Sequence, residues 1–80
     1  MALTTGSQLR AARAITRMDQ GLLAEKADVG VNTIRRLEAV DGELRATLTT
    51  VRKLERALET AGVEFLPGGG ARLREPAEAS

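Results

Sequence analysis

An 80-residue chain with a formal net charge of +1 is long enough for one small domain of marginal stability. It contains no cysteine, which excludes a disulfide framework and a thiolate metal site, and no histidine, which removes the commonest general base. No paired-carboxylate or Ser–Lys pattern stands out in the remainder. The composition therefore favours a protein that is not an enzyme and needs no metal or cofactor.

The charge is unevenly distributed along the chain. Residues 1–40 carry six cations against four carboxylates, whereas residues 41–80 carry six cations against seven carboxylates. This split fits either a solvated surface of mixed charge or an N-terminal half that binds nucleic acid. Because no apolar signal region and no run of about 20 apolar residues occurs, we expect a cytoplasmic protein that does not associate with membranes.

Apolar residues with helical spacing begin near the N-terminus of the chain. Thr5 and Gln8 fit a capping box, in which the Thr5 oxygen accepts a hydrogen bond from the Gln8 amide. The pattern predicts a first helix that runs to about Arg17, and residues 1–5 are expected to be a frayed start. The positions of this helix that we expect in the core are Leu9 and Ile15.

Two further short helices are predicted on either side of a turn. Asp19 is a good N-cap for a second helix over residues 20–27, with Leu23, Ala24 and Ala27 on one face. Residues 28–30, Asp-Val-Gly, break the helical pattern, and a third helix fits residues 31–39. The residues of this region that we expect to point inward are Val29, Ile34 and Leu37.

The fourth predicted helix has the clearest pattern. It follows the turn dipeptide Asp41-Gly42, is capped by Thr47 and stops at Gly62. Its charged residues leave one apolar stripe, which is formed by Leu48, Val51, Leu54, Leu58 and Ala61.

Alternating residues after Gly62 predict two short strands, residues 63–66 and 71–74, joined by a glycine-rich loop. A lone hairpin is marginal in water, so it needs either helices beneath it or a second copy beside it. The predicted fold class is mainly α, a compact four-helix domain with a short C-terminal β-strand or hairpin. The predicted divisions are a helical domain at residues 1–62, a β extension at 63–74 and a disordered tail at 75–80.

The second and third helices, with their tight turn, have the layout of a helix-turn-helix. Ile34 and Leu37 point inward, which leaves groups on the other side that can contact base edges. Asparagine can bind adenine bidentately, arginine can bind guanine, and valine can meet a thymine methyl group. The outward residues are Val31, Asn32, Thr33, Arg35 and Arg36.

Several short motifs of this region occur in a characteristic joint spacing, namely Asp19-Gln20, Leu23-Ala24-Glu25, Val29 and Thr33-Ile34-Arg35-Arg36-Leu37-Glu38. With them, the stretch from Gln8 to about Leu58 resembles the Xre/Cro-repressor-like helix-turn-helix family of bacterial and phage DNA-binding regulators, which have a lambda-repressor-like fold. No single motif is specific to that family, but the joint spacing is. The resemblance implies a transcription regulator that binds double-stranded DNA through the major groove.

The resemblance also implies roles for individual residues. Arg13 and Glu38 match a structural ion pair between helices, and Ala24 matches a tight contact between helices. Base contacts fall to Val31, Asn32 and Arg36, and DNA-backbone contacts to Gln20, Thr33 and Arg35. Two further arginines, Arg17 and Arg45, are predicted to contact the DNA backbone, with a solvated surface charge as the alternative for Arg45.

Three residues depart from the family pattern. Asp28 stands where a glycine usually adopts a left-handed conformation, a conformation that aspartate tolerates better than most residues. Gly30 stands where serine or threonine usually caps the recognition helix, and it is a weaker cap. Gly21, inside the second helix, costs up to about 1 kcal/mol relative to alanine.

The strands resemble a C-terminal extension that supports subunit pairing in some small members of the family. Exposed strand edges and apolar side chains favour the same interpretation, although a hairpin that only covers its own core is the alternative. A twofold dimer would place two recognition helices about 34–36 Å apart. The residues predicted to form the dimer contact are Val63, Phe65, Leu66 and Leu73.

The sequence therefore predicts a sequence-specific DNA-binding regulator, most simply a homodimeric repressor of a pseudo-palindromic operator. The alternative is a protein-binding regulator, an antitoxin or anti-activator, that uses a helix-turn-helix fold. The low net charge, the unusual Gly30–Val31 start of the third helix and the apolar strands favour this alternative. Salt dependence distinguishes the two, because phosphate contacts weaken steeply with salt.

Overall fold

The computed structural model describes residues 2–74, which form four α-helices followed by an antiparallel two-stranded hairpin. The mainly α fold with a short C-terminal hairpin is therefore confirmed. The predicted tail at residues 75–80 lies outside the described residues. The elements are α1 (Gly6–Ile15), α2 (Gln20–Ala27), α3 (Val31–Glu38), α4 (Leu48–Thr60), β1 (Val63–Leu66) and β2 (Gly70–Leu73).

Three of the helices have side-chain N-caps, as the sequence predicts. Thr5 Oγ1 accepts from the backbone amide of Gln8 at 3.1 Å, and the Gln8 side chain completes the capping box. Asp19 Oδ1 accepts from the Leu22 amide at 2.7 Å at the start of α2. Thr47 caps α4 in the same way. These bonds satisfy amides that have no partner inside the helix.

The apolar faces of the helices meet in one core, against which the partly buried Ala24 and Val29 pack, and three predicted residues lie outside it. Ile15 is only partly buried, and Met18 takes a buried position just beyond that end of α1. Leu48 is exposed because it is the first residue of α4, where side chains lean towards the N-terminus and away from the core. Ala61 lies past the last helical residue and is also exposed.

The segment before α1 is ordered, so the prediction of a frayed start is wrong for residues 2–5. Leu3 is fully buried in the core. The backbone oxygen of Thr4 accepts from the amide of Leu44 at 2.9 Å, and Leu44 is buried as well. A short extended stretch has no helical periodicity, and its burial depends on the loop after α3 folding back over it.

Gln8 joins three parts of the chain through one buried side chain. Its Oε1 accepts from the amides of Thr4 and Thr5 at 2.8 and 3.3 Å. Its Nε2 donates to the backbone oxygens of Ala2 and Gly70 at 3.0 and 3.1 Å. The residue is 2% exposed, so these bonds replace hydration that the amide has lost. Gln8 thereby holds the N-terminal segment and β2 against α1.

The hairpin packs on the helices with its apolar side inward. Val63 and Phe65 belong to the same core as the helices, and Val63 is 1% exposed. The prediction that these two residues present apolar surface to a second subunit is therefore wrong, because the chain's own helices already bury them. Leu66 is half-buried, and Leu73 is 54% exposed. Of the four residues predicted for the dimer contact, Leu73 is the one that remains exposed.

Among residues 2–74, no helix has both the length and the apolar character that crossing a membrane requires.

Candidate nucleic-acid interface

Helix α3 has one buried side and one polar, exposed side. Ile34, Leu37 and Glu38 are buried. Asn32 and Arg36 are exposed and lie four residues apart, which places them in one line opposite the buried side. Arg35 is exposed beside that line, and the half-buried residues at its margins are Val31 and Thr33. The structure therefore brings all five predicted α3 contacts to the outward side and its margins.

The predicted ion pair between Arg13 and Glu38 is present and is bidentate. Arg13 Nε and Nη2 donate to the two carboxylate oxygens of Glu38 at 2.8 and 2.9 Å. The Glu38 side chain is 4% exposed. The hydrogen bond to Glu38 raises the pKa of Arg13 above its ordinary value, while burial acts in the opposite direction. The pair fixes the C-terminal end of α3 against α1.

Gln20 extends this contact to α2. Its Nε2 donates to Glu38 Oε1 at 3.1 Å, and the residue is half-buried. Arg13 Nη1 in turn donates to the backbone oxygen of Met18 at 3.0 Å, in the connection between α1 and α2. Gln20, predicted to touch DNA, therefore also positions α2 against α3. Its contact with DNA stays a prediction.

The turn between α2 and α3 has a left-handed residue at the position that the resemblance implies. Asp28 adopts φ 56° and ψ 50°, and the amide of Val29 donates to the oxygen of Ala24 at 3.1 Å. This bond closes the end of α2 in the manner of a Schellman motif. Gly30 follows as the N-cap of α3. It has no side chain that could accept hydrogen bonds from the free amides in the first turn of α3. The turn thus directs α3 away from α2 without a strong cap.

Arg10 braces the C-terminal end of α3, a contact that no motif in the sequence predicts. Its guanidinium donates to the backbone oxygens of Glu38 and Val40, at 2.5 and 3.3 Å, and forms an ion pair with Asp41. Cations commonly bind the free carbonyl groups at helix C-termini. The only sequence signal is an arginine on a short helix. Its target depends on how α1 and α3 pack.

The exposed arginines of this surface have near neighbours that are also predicted DNA contacts. Arg35 Nη1 donates to Asn32 Oδ1 at 3.1 Å. Arg36 Nη1 donates to the backbone oxygen of Arg45 at 3.0 Å, which brings the loop before α4 beside α3. Glu38 is the one acidic residue of α3, and it is buried. The outward side of α3 therefore carries two guanidinium groups and no carboxylate.

Arg17, a predicted DNA-backbone contact, lies in a strained conformation before α2. Its φ is 56°, in the left-handed region that glycine adopts far more readily. The amide of Met18 donates to the oxygen of Arg13 at 3.1 Å, so the left-handed residue closes α1. The arginine side chain is exposed. A long cation in a position suited to glycine favours a role for the side chain itself.

Replacing Arg17 with glycine is expected to stabilise the fold and, if the side chain makes its predicted contact with a DNA backbone, to weaken DNA binding. Glycine removes the left-handed strain of the folded state, but its greater entropy in the unfolded chain offsets part of that gain. The free energy of unfolding should therefore rise by roughly 0.5–1 kcal/mol. Loss of one phosphate contact should reduce affinity for every DNA sequence. It should also lower by about 1 the slope of the logarithm of affinity against the logarithm of salt concentration. Urea unfolding and DNA titrations at several salt concentrations measure both effects. Arg17→Lys, which keeps the charge and the strain, should change neither much.

The chain matches no protein-family model, no curated protein and no solved structure.

Proposed function

We propose that the protein binds double-stranded DNA in a sequence-specific manner and acts as a transcriptional regulator, with α3 in the major groove. The outward side of α3 is the observation that carries the proposal. It presents Asn32 and Arg36 in line with Arg35 beside them, free of any carboxylate. An arginine pair on one exposed helix side matches the acceptor groups of guanine and of phosphate, whereas a merely soluble surface helix usually mixes both charges.

The positions of the side chains favour different partners on the DNA. Asn32 and Arg36 lie opposite the buried side, so they would reach deepest into a groove and contact adenine and guanine edges. Val31, at the first turn, would meet a thymine methyl group. The residues at the margins or on neighbouring segments would contact the backbone, namely Arg17, Gln20, Thr33, Arg35 and Arg45.

The helix is held in place before any ligand binds. An isolated helix of eight residues would not be stable in water, so α3 depends on tertiary contacts. Ile34 and Leu37 anchor it in the core, and Glu38 fixes its C-terminal end through Arg13 and Gln20. A helix positioned in advance loses less entropy on binding, which supports recognition by rigid docking.

The proposal includes a homodimer on a pseudo-palindromic site, acting in the cytoplasm as a repressor. Since Val63 and Phe65 of β1 are buried, the contact would instead use the exposed edge of β2 around Leu73. An unpaired strand edge offers backbone groups to a second copy. Two copies would place their α3 helices about 34–36 Å apart, one turn of DNA.

Selection of bound sequences from a random pool of duplex DNA tests the proposal. We expect enrichment of a symmetric motif, with affinity that falls steeply from low to moderate salt. Sedimentation of the free and DNA-bound chain would give the stoichiometry. A pool that shows no enrichment at low salt would reject the proposal and favour the protein-binding regulator instead.

The two arginines of α3 should respond differently to alanine. Arg36→Ala should relax base preference at one position of each half-site, with a loss of about 1–3 kcal/mol for the preferred sequence. Arg35→Ala should weaken all sequences alike and flatten the salt dependence. Arg72→Ala, which removes the same charge from the hairpin, serves as the control. Repeating the selection with each variant measures the change, and an unaltered motif for Arg36→Ala contradicts its assignment to a base.

A further inference from the structure

A groove with cationic walls runs between α4 and the C-terminal end of α2, and no residue of α3 lines it. It is open to solvent and encloses about 820 Å³. Arg52, Lys53 and Arg56 line it from α4, and Lys26 lines it from α2. Space of this size is enough for several side chains of a partner.

Helix α4 lines the groove with its cations and not with its carboxylates. Arg52, Lys53 and Arg56 line the groove, whereas Glu55 and Glu59 do not. The Glu55 carboxylate accepts from the backbone amide of Leu3 at 2.8 Å and is therefore occupied elsewhere. Helical spacing puts Glu59 one turn from Arg56, so the two residues are neighbours on the helix surface. The position of α2 decides which of the charged residues line the groove.

The cations of the groove are largely unneutralised. Asp28 is the one carboxylate among the lining residues, and its Oδ2 lies 3.7 Å from Lys53 Nζ. Within residues 2–74, no carboxylate lies at ion-pair distance from Lys26, Arg52 or Arg56. Since these three neighbouring cations form no ion pair within the described part of the chain, they create a positive potential that attracts an anionic partner.

The groove also has an apolar component of small side chains, which distinguishes between kinds of anion. Ala27, Ala57 and Ala61 lie among the cations. Ala57 is half-buried and Ala61 is exposed, so these two contribute a shallow apolar surface, whereas Ala27 is buried and adds little to it. A phosphate backbone has no side chains that would fill it, whereas a peptide with alternating acidic and apolar residues has both groups. Charge complementarity with apolar contact therefore favours a protein ligand over duplex DNA.

We propose that this groove is a docking site for an acidic, amphipathic segment of a partner protein. The carboxylates of the segment pair with Arg52, Arg56 and Lys26, and its apolar side chains cover the alanines between them. The site is separate from α3, so the inference does not depend on whether α3 binds DNA. A chain that binds DNA through α3 would use the groove to recruit a second protein to the same place.

Binding of a designed peptide tests the proposal. The probe is a fluorescein-labelled 12-residue peptide of glutamate and leucine with the leucines at helical spacing, titrated with the full chain and followed by fluorescence anisotropy. We expect saturable binding that Arg52→Gln combined with Arg56→Gln weakens about tenfold. Arg72→Gln removes a cation from the hairpin and should change the affinity twofold or less. Arg52 and Arg56 are exposed, so the melting temperature should be unchanged; if it falls, Lys26→Gln replaces the double variant.

Four results would overturn the proposal. The first is that Arg72→Gln weakens peptide binding as much as the double variant does, which would show that net charge alone attracts the peptide. The second is that a peptide with serine in place of leucine binds with equal affinity, which would show that apolar contact does not contribute to binding. The third is no peptide binding together with weaker DNA binding by the double variant, which would assign the groove to a DNA backbone. The fourth is tighter peptide binding when Glu75 and Glu78 are both changed to glutamine, which would assign the groove to the chain's own carboxylates.

Discussion

Replacing Gly6 with alanine is expected to lower the free energy of unfolding by about 3 kcal/mol, the upper part of the range for overpacking a core. Gly6 is buried at the first position of α1, where its amide donates to the oxygen of Gly42 at 2.9 Å. A Cβ atom there would overlap the backbone oxygen of Val40 and lie 2.5 Å from that of Leu37. Backbone atoms cannot rotate away as side chains can, so α1 and the end of α3 must separate.

Gly21→Ala is the matched control, because Gly21 is also a helical glycine but is exposed. The nearest atom to its added Cβ is a side-chain oxygen of Asp19 at 3.4 Å. This variant should gain up to about 1 kcal/mol from higher helix propensity. Urea unfolding of both variants measures the difference. Equal changes in the two would contradict the close approach at Gly6. The free energy of unfolding of a domain of this size is only about 4–12 kcal/mol, so the Gly6 variant should also have a larger unfolded fraction.

Replacing Glu38 with alanine is expected to lower the free energy of unfolding by about 3 kcal/mol as well. The substitution leaves the guanidinium of Arg13 beside the space vacated by the carboxylate and removes the acceptor of Gln20. Breaking a fully buried pair costs about 3–5 kcal/mol. The Arg13 side chain is 24% exposed, so water compensates in part and the lower end of that range applies.

A double variant separates the loss of the pair from the isolation of a charge. Arg13→Met combined with Glu38→Leu removes both charges and should recover much of the stability lost in Glu38→Ala. The control is Glu64→Ala, which breaks the exposed pair with Arg72 and should cost about 0–1 kcal/mol. Thermal and urea unfolding provide the measurements. If Glu38→Ala costs no more than Glu64→Ala, the buried pair does not stabilise α3.

The parts of the fold that local sequence determines were predictable. Thr5, Asp19 and Thr47 cap their helices because short polar side chains reach amides two or three residues ahead. Asp28 takes the left-handed conformation because it ends one helix just before another begins. The two strands and their order along the chain followed from alternation and glycine, with β2 beginning at Gly70, one residue earlier than predicted.

The parts that depend on packing between distant segments were not predictable. Alternation in β1 shows that Val63 and Phe65 share a side, but not whether the chain's own helices or a second copy would cover that side. Leu3 and Leu44 lie in segments without periodicity, so their burial has no signal in the sequence. Helix α1 was predicted to reach Arg17, but that residue's positive φ places it outside the helix.

The candidate site divides in the same way. The outward side of α3 follows from helical spacing, because Ile34 and Leu37 decide which residues face away. The bonds of Arg10 and Gln20 to α3, and the cationic groove beside α4, arise from the angles between helices. Single-residue patterns along the chain contain little information about those angles.

The buried amide of Gln8 links the stability of segments that are far apart in sequence. Opening the hairpin would remove the Gly70 acceptor, so that Gln8 Nε2 would lose one of its two hydrogen bonds and keep the one to Ala2. The hairpin, the N-terminal segment and α1 should consequently open together as one cooperative unit rather than fray separately. Because α1 also carries Arg13, a fluctuation in the hairpin would reach the end of α3 through two side chains.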